Sequence, residues 1–196
     1  MLETLANKGN GNYGYIDSIK EGEKILVEDF YGTMYTVARD VKAKVTFNPD
    51  KVSQYRLLGY ENKMLTSEEY DDTTTDGGEI GSGFAVTALY EVILNAKGAE
   101  LTDKFLTVSV RYKNPGISDP TDYEISKDLY DIISFNEDLS FISAVCEFAL
   151  ILRNSNYKAQ ADLNNVILRL EQLDCTQSDN YKNEFINLCK LYKTNY

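Results

Sequence analysis

The sequence predicts an α+β fold, in which an antiparallel β-sandwich at residues 31–135 is followed by a C-terminal three-helix segment at residues 136–196 packed on it. Short segments of alternating apolar and polar residues, separated by turn residues, fill the middle of the chain. Apolar residues at helical spacing fill its last third. With 43% apolar residues in a chain of 196, there is enough material for a packed core.

Residues 1–30 predict a short strand and a helix. Tyr13–Asp17 has the composition of a strand, and Ser18 with Glu21 forms the S-x-x-E signature of a helix start. One strand and one helix cannot bury each other. We therefore expect residues 1–30 to be the end of a larger domain.

The middle of the chain predicts about five strands. Residues 41–47 alternate apolar and polar side chains, which indicates a strand with one wet face, and Asn48-Pro49-Asp50 ends it. Three further strands are predicted near residues 52–60, 106–112 and 123–125. The segment 84–94 is apolar on both sides and predicts an interior strand, so that Val86→Asp should strongly destabilise the fold.

The C-terminal segment predicts three helices. Residues 139–152 are apolar on most sides, as in a buried helix. Two further stripes at helical spacing follow, formed by Leu163, Val166, Ile167, Leu170 and Leu173 and by Phe185, Leu188, Cys189 and Tyr192. Three short helices make a small core alone, so we expect them to pack on the sandwich.

Composition excludes several functional classes. The chain carries 20 basic and 31 acidic residues, a net charge of −11, which does not suit a nucleic-acid-binding surface. It has no histidine, so catalysis by Ser-His-Asp or Cys-His is excluded. Its three cysteines form no CxxC pair, and Cys146 and Cys189 fall on apolar helical faces. No apolar run reaches the ~20 residues of a membrane span. We expect no enzyme activity and no cofactor in this region.

A glycine-rich stretch at Gly77, Gly78, Gly81 and Gly83 invites a phosphate-binding interpretation. A Walker loop needs Lys and Ser or Thr after its last glycine, where this chain has Phe84 and Ala85. A dinucleotide loop leads into a helix, whereas a strand is predicted here. The stretch is therefore interpreted as a turn that leads into a strand.

An acidic loop at residues 68–79 is the strongest candidate for a ligand site. Asp72, Asp76 and Glu79 offer the oxygen ligands that calcium prefers. An EF-hand register that begins at Asp72 fails, because its twelfth position is Gly83. A looser calcium site remains one alternative, and a solvated connection between strands is another. A third alternative is an enzyme with an unrecognised carboxylate or tyrosine site.

Three stretches, LANKGNGNYGYIDSIKEGEKILVEDF, TVARDVKAKVTFNPDKVSQYRLLGYENKML and DGGEIGSGFAVTALYEV, resemble the YfbK-like family of bacterial proteins. Its members have a von Willebrand factor type A (VWA) domain followed by a C-terminal region. The resemblance implies that residues 1–30 are the last strand and helix of the VWA domain, and that the domain's divalent metal binds upstream of Met1. Asp138-Leu139-Ser140 matches only half of the family's metal loop, so no ligand carries over.

The resemblance implies a non-catalytic C-terminal module for protein–protein interaction or for structural support of a metal-dependent adhesion domain. It also implies a location in the cell envelope. Five or six strands are few for a closed sandwich, so we expect one open sheet edge. Dimerisation through that edge, or pairing of residues 1–15 with it, are the expected ways to cover it.

Overall fold

A computed structural model describes residues 2–9, 11, 13–60, 64–95, 104–116, 121–130 and 136–195. The fold is α+β with antiparallel strands and C-terminal helices, as predicted. Its elements run in the order α1 (Leu2–Lys8), α2 (Ile19–Glu23), a π-helix (Lys24–Glu28), α3 (Phe30–Met34), β1 (Thr36–Phe47), β2 (Val52–Leu58), α4 (Ser67–Asp71), β3 (Gly78–Gly81), β4 (Leu89–Leu94), β5 (Leu106–Lys113), β6 (Asp122–Leu129), α5 (Glu137–Leu152), α6 (Leu163–Glu171), α7 (Asp174–Ser178) and α8 (Asn180–Asn195).

The chain divides into two compact units. The sheet unit comprises residues 1–55, 61–88 and 92–131, and the helical unit comprises residues 56–60, 89–91 and 132–196. One sheet has four strands in the order β3-β1-β5-β6, and a second sheet has two strands, β2 and β4. Two separate antiparallel sheets are the components from which a sandwich is built.

The four-stranded sheet has a regular and an irregular side. β5 and β6 pair through eight consecutive residues, from Leu106↔Leu129 to Lys113↔Asp122. β1 pairs with β5 without a shift from Lys42 to Phe47, but its register is interrupted between Arg39 and Lys42. The pairing of β1 with β3 shifts twice. Sequence alternation therefore predicted the regular strands and missed β3.

The N-terminal segment differs from its prediction in one element. Ser18 begins a helix as predicted, and its hydroxyl accepts a hydrogen bond from the backbone N–H of Glu21. The predicted strand at Tyr13–Asp17 is wrong, because these residues have no regular structure. A strand exists only through its ladder partners, and none of the described strands pairs with this segment. Helix α1 was not predicted.

The predicted interior strand at residues 84–94 is also wrong. Only Leu89–Leu94 forms a strand, in a two-stranded sheet that has no interior position. Gly83 has φ +83°, and the N–H of Phe84 donates to the carbonyl of Gly81, so the chain turns here. Val86 is 68% exposed. The burial that the apolar pattern predicted for this segment is therefore too high.

The helical unit encloses a core of its own. The predicted helices are present as α5, α6 and α8, and the short α7 is an additional one. Asn136 caps α5 by accepting a hydrogen bond from the N–H of Leu139 at 2.8 Å. The buried residues of this core are Ala144, Phe148, Val166, Ile167, Leu170, Leu173, Ile186 and Cys189. That the helices pack on the sheets stays a prediction.

The ends of β2 and β4 are tied to a loop within the helical unit. The guanidinium of Arg56 lies 4.2 Å from the ring centre of Tyr157 and pairs with the carboxylate of Glu91. An arginine that stacks on an aromatic face while it pairs with a carboxylate is well oriented. Within the described residues, no helix is long and apolar enough to cross a membrane.

Candidate functional site

The most unusual surface lies between residues 15 and 35. Eight large apolar or aromatic side chains there are more than half exposed, and we call them the N-terminal apolar surface. They are Tyr15 (70%), Ile16 (51%), Ile19 (84%), Leu26 (64%), Val27 (67%), Tyr31 (65%), Met34 (63%) and Tyr35 (62%). Single exposed apolar residues are ordinary, but a concentration of them in one segment makes that segment a candidate interaction site.

The local structure explains why these side chains point outward. Residues 19–34 form three short helical pieces in succession, α2, the π-helix and α3. A change of helical pitch rotates the positions that follow it, so the apolar residues do not collect on one inward stripe. The side chain of Ile25 turns inward, against Gly14. Tyr31 and Tyr35 stack with ring centres 6.1 Å apart.

Helix α3 is fixed to the edge of the sheet by glycines. Gly32 is buried, and a Cβ at Gly81 would lie 1.7 Å from the carbonyl oxygen of Gly32. The N–H of Ser82 donates to the carbonyl of Tyr35 at 2.8 Å, and the ring of Phe84 lies against Gly32. Part of the glycine-rich stretch therefore allows close approach of two backbone segments. This contact holds the backbone of the last part of the N-terminal apolar surface, while the side chains of Tyr31, Met34 and Tyr35 stay exposed.

The acidic loop predicted as an alternative calcium site is engaged in contacts of its own. The carboxylate of Asp72 accepts hydrogen bonds from the N–H of Thr74 at 2.8 Å and from the hydroxyls of Thr74 and Thr75. These bonds, led by the N–H of Thr74, lower the pKa of Asp72. Desolvation raises the pKa of Glu79, and the charges of Asp76 and Asp40 add to that shift.

The three candidate ligands are not gathered around a common point. Across the described ranges, which include all of residues 64–95, no group of three or more His, Cys, Asp or Glu side chains is placed to hold a metal ion. Asp76 influences Glu79 through its charge, whereas Asp72 is bonded to its own turn. Calcium binding by Asp72, Asp76 and Glu79 stays a prediction.

A charged network on one face of the sheet holds this loop. Asp40 has φ 53° at the interruption of β1, and its carboxylate accepts from the ammonium of Lys113 and from the N–H of Gly77, both at 2.6 Å. The ammonium of Lys42 donates to the carbonyl of Asp72 at 2.7 Å. Lys42 was predicted on the wet face of its strand, yet it is only 4% exposed because the loop covers it.

Tyr70 is the centre of this network, and the sequence analysis did not single it out. Its ring centre lies 5.2 Å from the ammonium of Lys44 and 5.1 Å from the guanidinium of Arg111. Burial, followed by the charge of Glu124, raises the pKa of its hydroxyl. The capping box between Thr66 and Glu69, which starts α4, is the sequence signal that could have located it.

The cysteines and one open groove lie in the helical unit. All three cysteines are free thiols, and Cys189 is fully buried, as predicted for a small apolar residue. Burial raises the pKa of Cys146 and of Cys189. An open groove of about 530 Å³ runs between α6 and α8. It is lined by Asn164, Ile167, Leu168, Glu171, Lys190, Lys193 and Thr194.

Comparison with known proteins assigns the family. A relative from Escherichia coli (strain K12), described as "Uncharacterized protein YfbK", is 31% identical over 207 aligned positions. The alignment covers 97% of this chain and 36% of the relative, so the chain spans about a third of that protein's length. No solved structure matches. The family described as "Uncharacterized protein YfbK, C-terminal" matches residues 32–194, and the chain therefore belongs to this YfbK C-terminal family.

Proposed function

We propose that this chain is a non-catalytic interaction module that docks onto another folded domain through its N-terminal apolar surface. The observation that carries the proposal is the exposure of eight large apolar side chains between residues 15 and 35. Three of the eight side chains are tyrosines, and tyrosine suits an interface because it combines a large contact area with few rotatable bonds.

The position of the surface supports an intramolecular partner. The family match begins at residue 32, so most of the N-terminal apolar surface lies before it. The E. coli relative is nearly three times as long as the aligned region, so it has room for a further domain. The resemblance noted in the sequence suggests that this domain is a VWA domain. On this proposal, the partner domain binds the divalent metal and functions in the cell envelope.

Hydrogen exchange tests the docking. The comparison is between this chain alone and a longer natural protein that carries it after its partner domain. We expect the amides of residues 15–35 to exchange more slowly in the longer protein, because docking removes them from water. Ile19→Ser, Leu26→Ser and Met34→Ser together should abolish that protection.

A matched triple variant controls for nonspecific effects of lost apolar area. Leu168, Leu188 and Leu191 are exposed to a similar degree, at 55%, 53% and 61%, and all lie in the helical unit. Changing these three to Ser should leave the protection of residues 15–35 unaltered. Equal exchange of residues 15–35 in the chain alone and in the longer protein would contradict the proposal.

A further inference from the structure

We propose that the outer edge of β6 binds an extended segment of a partner protein in which every second residue is basic. This would be a second interaction site, independent of the N-terminal apolar surface. The segment would add a strand to the order β3-β1-β5-β6, as in β-strand addition.

The two edges of the four-stranded sheet are not equivalent. β3 has four residues, its register with β1 shifts twice, and α3 lies against it. β6 has eight residues, contains no proline and is paired with β5 without interruption. No strand within the described ranges pairs with the other side of β6. A long, regular strand with a free side presents backbone N–H and C=O groups at the spacing that another strand needs.

Charge is distributed unevenly across one face of the sheet. On this face β1 carries Lys42 and Lys44, and β5 carries Arg111 and Lys113. β6 carries only acids and one serine there: Asp122, Glu124, Ser126 and Asp128. Positive charge on the inner strands thus gives way to negative charge at the edge.

Each acid on β6 has a cation on its inner side. Lys113 lies 3.8 Å from Asp122, Arg111 lies 3.2 Å from Glu124, and Lys104 lies 3.5 Å from Asp128. The three carboxylate side chains are still 40–44% exposed. An added strand would bring its own side chains within about 5 Å of them on the outer side. Basic residues at alternate positions would complete these ion pairs.

A second copy of the chain is a poor occupant of this edge. Around a two-fold axis, β6 can pair with itself with Ile125 or Ser126 opposite its own copy. The first register places Asp122 opposite Asp128, and the second places Glu124 opposite Asp128. Like charges directly opposite each other disfavour pairing. The acids thus protect against self-association and, at the same time, select a basic strand.

The opposite face of β6 sets the remaining positions of the partner. Tyr123 and Ile125 are 37% and 60% exposed on that face. A partner with apolar residues between its basic ones would cover them by cross-strand contact. The expected sequence pattern is therefore an alternation of Lys or Arg with a β-branched residue.

A blocked eight-residue peptide of alternating lysine and valine, added to the whole chain, tests the inference. We expect binding that shifts the NMR signals of the β6 amides and slows exchange of those that face outward. The same peptide with alternate backbone nitrogens methylated should not bind, because it cannot complete the ladder. Equal binding of the methylated peptide would show charge attraction alone and overturn the inference.

Two protein variants with the same change in charge separate the site from the overall acidity. Glu124→Gln with Asp128→Asn should weaken peptide binding about three- to tenfold, the effect of losing two exposed ion pairs. Asp17→Asn with Glu28→Gln, at exposed positions elsewhere, should leave it unchanged. Equal weakening by both variants, signal shifts away from β6, or self-association of the chain through β6 would each overturn the inference.

Discussion

The helical unit and the N-terminal segment contain similar apolar patterns with opposite outcomes. In the helical unit, the side chains of Val166 and Leu170 are fully buried by neighbouring helices. In the N-terminal segment, Ile19 and Leu26 are 84% and 64% exposed. An apolar stripe shows that a face is suited to burial, but it does not show which part of the protein covers it.

The two units also differ in the kind of interaction that stabilises each of them internally. The rings of Phe148, Phe185 and Tyr192 meet edge to face in the helical core, with centres 5.6 and 5.8 Å apart. In the sheet unit, the carboxylate of Asp40 and the ammonium of Lys42 fix a loop through hydrogen bonds to its backbone. The helical core is stabilised in proportion to the apolar surface area that it buries. The loop of the sheet unit depends on the exact placement of a few hydrogen-bonding atoms.

The largest expected effect compares the same substitution in both regions. Val166→Asp places a charge in a fully buried position, and we expect it to cost more than about 3 kcal/mol or to prevent folding of the helices. Val86→Asp, at a position that is 68% exposed, should change stability by less than about 0.5 kcal/mol. Urea unfolding followed by circular dichroism measures both.

Equal changes in stability for Val166→Asp and Val86→Asp would contradict this comparison. A large loss of stability for Val86→Asp would restore the interior strand that the sequence predicted at residues 84–94. A small effect for Val166→Asp would show that the helical core is open to water. Either result would remove the contrast between covered and uncovered apolar residues.

The sequence was sufficient where periodicity and local capping decide the structure. Ser18 and the stripe through Leu170 predicted helices that are present, because capping and amphipathic spacing act within a few residues. The burial of Lys42 could not be predicted, since it depends on a loop thirty residues away. Neither could the exposure of Val86, because an apolar pattern does not show that residues 84–88 lack the partner strand that a β-strand needs.

The candidate site was predicted only in part. The acidic residues 68–79 stood out by composition, but the partners that hold the loop, Asp40 and Lys42, lie on another strand. The resemblance predicted that residues 1–30 belong to a larger domain, and this stays a prediction; the exposure of their apolar residues was not predicted. Residues 2–8 form α1 and not a strand, so pairing of residues 1–15 with the sheet edge is not seen in the described part of that segment.

A smaller effect is expected at the close backbone contact of the sheet unit. A Cβ at Gly77 would lie 2.5 Å from the carbonyl carbon of Asp40, so Gly77→Ala must displace backbone, at a cost of roughly 1–3 kcal/mol. At Gly78, the nearest atom to a new Cβ is the carbonyl oxygen of Val41, at 3.8 Å. Gly78→Ala is therefore the control, and thermal unfolding compares the two.

The Gly77→Ala and Gly78→Ala variants test whether the sheet unit depends on the placement of a few atoms. Gly77→Ala should also expose Lys42, because the loop that covers this side chain is anchored by the N–H of Gly77. Faster reaction of Lys42 with an amine reagent, detected by mass spectrometry, would show that change. Equal stability of the Gly77→Ala and Gly78→Ala variants would indicate that the loop does not lie against Asp40.

The smallest expected effect tests whether water reaches the helical core. Burial raises the pKa of the Cys189 thiol from 9.0 to about 11, so between these values the unfolded chain loses this proton while the folded chain keeps it. Fewer protons bound in the unfolded state means that the free energy of unfolding decreases as pH rises, here by at most roughly 1.4 kcal/mol per pH unit.

Lysines and tyrosines titrate in the same range, so the measurement is the difference in slope between the natural chain and Cys189→Ala, which lacks the thiol. We expect the variant to have the shallower slope from pH 9 to 11 and an unchanged slope below pH 8. Identical slopes would mean that water reaches Cys189, and the contrast between a closed helical core and an open N-terminal surface would be weaker than the burial of these residues indicates.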